Sequence, residues 1–261
     1  MADKSYKSYR QQLNILRSRS MVIGKGSQGS RVMRILEREN YYNVINGYKE
    51  LFLASKATAT ADEAYKTGTT FDEVYALYNF DRELRNIYLK YLLKLENTFK
   101  TVIAHEFSAK YGHDNYLKIE NFDNSTERNI SSSIKLIGDI QQEIARQMSK
   151  HHQVVTHYMT EHGYIPLWVL VNVLTFGKIE NFSVLGIVRA ADGSYTYGTN
   201  DAYAIAIMFA LLLSKSDLND FISSMRTAFG KLQKQLHTIS AADIMSIMGY
   251  DTNWTNLVNL I

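Results

Sequence analysis

Cysteine is absent from all 261 residues, which excludes disulfide scaffolds, Cys-ligated zinc and thiol nucleophiles and is compatible with a reducing cytosol. Proline occurs once, as Pro166, and glycine only 14 times, so the two residues that most often interrupt helices are scarce. No stretch reaches the roughly 18 consecutive apolar residues of a membrane span, and the opening MADKSYKSYRQQLNILRSRS has no apolar signal-like core. The expectation is a cytoplasmic protein with no membrane partner. The glycine-containing stretch GKGSQGS at 24–30 lacks the Gly-Lys-Ser/Thr ending of a phosphate loop and follows no strand, which argues against nucleotide-dependent enzymes. His113, His157, His162 and His237 do not fall at metal-ligand spacing with each other or with carboxylates, so no metal site and no small-molecule cofactor is expected.

What is present is a 46% hydrophobic chain with a net charge of +3, unevenly placed. Residues 1–50 hold ten Lys/Arg against four acids, an excess able to attract a polyanion or simply to solvate basic helices. Long 3.6-residue periodicities predict an all-α protein. Weak helical patterns at 5–18, 28–39 and 41–53 precede a polar loop at 54–70. A long central helix is expected over 80–112, with Asp81 as N-cap and Gly112 as stop. A further helix is expected over 126–160, then a helical hairpin at 201–214 and 216–239. A short last helix follows, opened by Ser240 with Asp243 and closed by Gly249. The organisation expected is a basic N-terminal helical region over 1–70 and a bundle over 71–261. The run GYIPLWVLVNVLTFG reads as a helix begun by Pro166, apolar almost all round, buried at the centre of that bundle and ended by Gly177. RAADGSYTYGTN at 189–200 reads as a loop.

Five segments in order carry a resemblance: SYRQQLNILRSRSMVI, YYNVINGYKELF, FDRELRNIYLKYLLKLENTFKTVIAHEFSAKYG, YIPLWVLVNVLTFGKIENF and IMSIMGYDTNW. Together they resemble the Abi family of phage abortive-infection proteins, of the AbiD/AbiF type. The resemblance implies a HEPN-like helical bundle, here with an N-terminal helical extension and a C-terminal helical hairpin. It also implies a toxin-type defence protein, dimeric, paired with a small noncoding RNA. Members of that superfamily are often metal-independent ribonucleases with an Arg, four to six residues, then His. The chemistry suits those side chains: attack by an RNA 2′-OH needs a proton carrier and a cation for the phosphate. The family's Arg-His segment would fall within SVLGIVRAADGSYTYGTN, 183–200, which contains no histidine, so Arg189 lacks its partner there.

Other spacings supply weaker catalytic candidates. Arg146 precedes His151 and His152 in RQMSKHH, and Lys100 precedes His105 in KTVIAH. Five helical positions are about 140° apart, so Lys100 and His105 would diverge, and Glu96 four residues before Lys100 offers a purely structural pairing. For RNA, the candidates are Arg17, Arg19, Lys25, Arg31, Arg34 and Arg38 with Tyr41 and Tyr42 beside them, together with Arg82 and Arg85 on the central helix. Cations meet phosphates and aromatic rings stack unpaired bases; tyrosines also fill helix interfaces with their hydroxyls at the rim. Three functions stay open: an RNA-bound defence protein, an active ribonuclease toxin, and a protein-interaction scaffold without RNA.

Overall fold

A computed structural model describes residues 6–175, 201–250 and 253–260. The expected helix end at Phe176-Gly177, Arg189 and the loop at 189–200 lie outside these residues. The described chain is all-α apart from one small hairpin: α1 (Tyr9–Ser18), α2 (Ser27–Glu39), β1 (Leu53–Ser55), β2 (Ala64–Tyr65), α3 (Phe71–Tyr111), α4 (Glu127–Ser149), α5 (Gln153–His162), α6 (Leu167–Leu170), α7 (Asp201–Leu212), α8 (Lys215–Gln233) and α9 (Ala241–Ile247). No helix among the described residues is long and apolar enough to cross a membrane.

The chain divides into two compact units, and α3 runs through both. Among the described residues, the first unit holds everything up to Tyr91 and from Asp201 onward, and the second holds Leu92 to Thr175.

In the first unit, α1 opens with a reciprocal cap between Ser8 and Gln11. Its Leu13 and Leu16 are buried, as are Val32 and Leu36 of α2, an apolar pair one helical turn apart. The core continues along α3 through Phe71, Val74, Leu77 and Tyr91. Phe209 and Phe221 close on Tyr91 with ring centroids 6.0 and 5.3 Å away. The cap at Ser240 and Asp243 forms as its spacing predicts, and Gly249 at φ +80° follows the last helix.

Four expectations are corrected here. The long helix starts at Phe71, not near residue 80, and Asp81 is no cap. It lies mid-helix, accepting from the Tyr48 hydroxyl at 2.6 Å and pairing with Arg85 at 2.8 Å. The true start carries its own box: the Glu73 N–H donates to Thr70 Oγ1, and the Thr70 N–H donates to Glu73 Oε2. The region expected as a helix over 41–53 forms a π-helical turn (Tyr42–Asn46) and a 3₁₀ turn (Lys49–Leu51). The polar 54–70 stretch, expected as loop, contributes β2, antiparallel to β1 with Leu53 opposite Tyr65. Buried Glu63 binds that region down through Arg19 at 2.5 Å and Lys49 at 2.6 Å.

The fourth correction lies in the second unit, where the 126–160 helix is two. α4 ends at Ser149, His151 takes φ +54°, and α5 restarts at Gln153. Leu136 and Ile140 of α4, Val155 of α5, and Ile165, Leu167 and Leu170 form this unit's core with Ala104 and Tyr116.

Candidate nucleic-acid interface

The basic candidates of the first unit separate into those that hold the fold and those that face water. Arg17 donates to the carbonyls of Ile23 (3.2 Å) and Gly24 (2.6 Å), pinning the α1–α2 turn. Gln28 Oε1 accepts from the Gly24 N–H at 2.7 Å within the same turn. Arg19 is committed to Glu63. Arg82 pairs with Glu39 at 3.0 Å and lies over the Tyr78 ring, while Arg85 pairs with Asp81. Tyr41 is half-buried, and burial raises its hydroxyl's pKa, so it packs rather than projects.

Against these, Arg31, Arg34 and Arg38 stand at i, i+3 and i+7 on α2 and fall within a 60° sector of one helix face. All three are exposed on the side opposite Val32 and Leu36. Arg31 shares an exposed pair with Asp72 at 2.5 Å, a contact worth little in water. Arg34 and Arg38 have no ion-pair partner among the described residues, and neither has Lys25 in the preceding turn. Tyr42, 70% exposed, follows the helix. This strip of free cations ending near an aromatic ring can meet phosphates and a base.

The second unit has a cleft of about 560 Å³ between α3 and α6. Asn97, Lys100, Thr101, His105 and Ser108 line it on one side and Trp168 and Asn172 on the other. Lys100 and His105, expected to diverge, both line this cleft because it is wide enough to span their two helix positions. Lys100 also makes the structural pairing that its spacing predicts, with Glu96 at 2.8 Å. His105 is exposed beside Glu106. The Ser108 hydroxyl is enclosed without a hydrogen-bond partner among the described residues.

Arg146 is held by Glu143 through Nε and Nη2, at 3.1 and 2.5 Å, and Gln147 shares the same carboxylate. His151 lies exposed in the turn beyond. Among the described residues no group of three His, Asp or Glu side chains could hold a metal.

The apolar run after Pro166 does not lie buried all round. Pro166 caps α6, and Leu167, Leu170, Val171 and Leu174 are enclosed, but Trp168 is 51% exposed and Asn172 faces out with it. Trp168 begins a line of rings that sequence reasoning missed, because His113, which joins Tyr164 to Trp168, comes from a distant segment. His113 lies 6.1 Å from Trp168 and 5.0 Å from Tyr164, and Tyr164 lies 6.2 Å from His162. The run of small spacings between His157, His162, Tyr164 and Trp168 was the only local signal for it.

Comparison with curated proteins and with solved structures gives no significant match. A family model described as Abi-like protein matches residues 34–240, from Arg34 on α2 through α3 and both hairpin helices to Ser240. With most of its length inside that match, the chain belongs to the Abi-like protein family.

Proposed function

We propose that this chain is an RNA-binding phage-defence protein of the abortive-infection, toxin type, built on a HEPN-like bundle. In this reading it acts in the cytoplasm as a homodimer, bound and regulated by a cognate small noncoding RNA. Membership of the Abi-like family supports the defence role. The observation that carries RNA binding is the α2 strip, where Lys25, Arg34 and Arg38 are exposed and make no ion pair among the described residues. Expression with the flanking DNA, purification in moderate salt and sequencing of retained nucleic acid tests it. One discrete small RNA in near-stoichiometric amount is the expected result. Clean protein that also fails to bind RNA at low salt overturns the proposal and leaves the scaffold reading.

One observation favours a second reading, a metal-independent ribonuclease: Lys100 and His105 line a single cleft, so a cation and a proton carrier face one space. RNA cleavage that persists in chelator and is abolished in both Lys100→Ala and His105→Ala would support it. Uncut RNA under the same conditions argues for binding alone.

A further inference from the structure

From the ring line on the second unit we infer a second RNA-contacting element, a stacking track for unpaired nucleotides, formed by His157, His162, Tyr164, His113 and Trp168. The inference rests on the RNA-binding reading and deepens it. The five rings succeed one another at centroid distances of 5.8, 6.2, 5.0 and 6.1 Å. All five residues are exposed, a concentration of aromatic surface that burial alone does not explain.

Their mutual geometry matters. Adjacent rings meet at interplanar angles of 84°, 51°, 52° and 47°, edge-on or tilted, so no two of them are stacked face to face. Open π-faces are what sequence-tolerant stacking of bases requires.

The platform is also preorganised. Gly163 at φ +76° ends α5 and turns the chain sharply. The Tyr116 hydroxyl then donates to the Ile165 carbonyl at 2.8 Å, and the Leu167 N–H donates to the His113 carbonyl at 2.9 Å. Ile165, Pro166 and Leu167 are buried, and this pinned stretch leaves Tyr164 and Trp168 exposed at its two ends. His113 sits just past Gly112, whose φ of +92° stops α3. Rings fixed this way lose little freedom when a base lands on them.

The Trp168 end opens into the cleft that holds Lys100 and His105, which offers a nucleotide both a stacking face and a cationic donor. The Trp168 indole N–H has no hydrogen-bond partner among the described residues, leaving a donor for a base edge or phosphate. A duplex hides its base faces, so the ligand class is a single strand, loop or bulge.

Titration of the full chain with a fluorescein-labelled unstructured oligoadenylate tests this directly, with affinity read from the anisotropy of the label and stacking from intrinsic tryptophan fluorescence. The chain has two tryptophans, and Trp254 is buried at 4% exposure, so quenching by a stacked base reports Trp168. The expected result is quenching in the wild type and affinity lowered on the order of tenfold in Trp168→Ala and in Tyr164→Ala. Trp168→Phe should bind close to wild type, and the salt dependence should stay unchanged in all three, because no cation is removed. Circular dichroism confirms that each variant is folded.

If the wild type binds without quenching and Trp168→Ala binds equally well, the track is refuted while RNA binding stands. If the wild type binds no RNA at all, the RNA reading falls and the track with it. A change of molar mass in solution on Trp168→Ala, with RNA affinity intact, would assign the rings to contact between copies of the chain and refute the track.

Discussion

At the scale of single residues, the most constrained carboxylate is Glu73, which is fully enclosed near the start of α3. Burial works against its charge, but hydrogen bonds from Thr238, Thr70 and the His237 N–H outweigh it and hold its pKa below the usual carboxylate value. Its Oε1 accepts from the backbone N–H groups of His237 and Thr238 at 2.6 and 2.7 Å, tying the segment after α8 to α3. Glu73→Gln replaces one acceptor oxygen by a donor facing donors, and should cost about 3 kcal/mol of stability by urea denaturation at neutral pH. The pH sign follows from linkage. A carboxyl with a lowered folded pKa contributes stability that is present above its unfolded pKa and lost as pH falls through the folded one. Wild-type stability should therefore fall through the acidic range more steeply than that of Glu73→Gln, which lacks this titration. Parallel pH profiles for the two proteins would show that Glu73 is not a charged acceptor.

At the scale of elements, two junctions make opposite predictions. Gly112 ends α3 at φ +92°, and a Cβ there would sit 2.9 Å from Asn115 Nδ2, the amide that caps the Tyr111 carbonyl at 2.6 Å. Gly112→Ala should therefore cost about 2 kcal/mol in thermal or urea unfolding, combining left-handed strain with loss of the cap. His151 holds the α4–α5 turn at φ +54°, a conformation glycine adopts freely. His151→Gly should be neutral or stabilise by up to about 1 kcal/mol, since only strain is removed there. A loss instead would show that the imidazole makes a contact of its own.

These junctions also show how much of the fold was legible. Gly112 and the Ser240 cap could be read from sequence because the residue type alone supplies the geometry. The split at His151 could not, because a histidine in the left-handed region is held there by the packing of two helices and not by its own preference. The early start of α3 was legible in principle: Thr70 and Glu73 form a capping box, and Phe71, Val74 and Leu77 continue the apolar period. The basic residues of α2 could be read from sequence, but which arginines are paired depended on partners such as Glu63 for Arg19 and Asp72 for Arg31, distant in sequence. The ring track was illegible for the same reason, since His113, which joins Tyr164 to Trp168, comes from the turn after α3, distant in sequence.

At the scale of the whole molecule, the net charge of +3 is too small to attract RNA by itself, so affinity must come from where unpaired charge is concentrated. Five of the ten RNA-binding candidates, Arg17, Arg19, Arg31, Arg82 and Arg85, already have partners, and Tyr41 is half-buried. That leaves Lys25, Arg34 and Arg38 as cations able to displace counterions, with Tyr42 beside them. Each phosphate neutralised on a single strand contributes about −0.7 to the slope of log affinity against log salt, so three contacts give roughly −2. Arg34→Ala/Arg38→Ala should flatten that slope by about 1.4 and weaken binding across RNA sequences alike, because phosphate contacts carry no base information. Arg17→Ala, by contrast, should lower thermal stability by loosening the α1–α2 turn, while the salt slope of the folded protein changes little. An unchanged slope in the double variant would move the phosphate-binding surface away from α2.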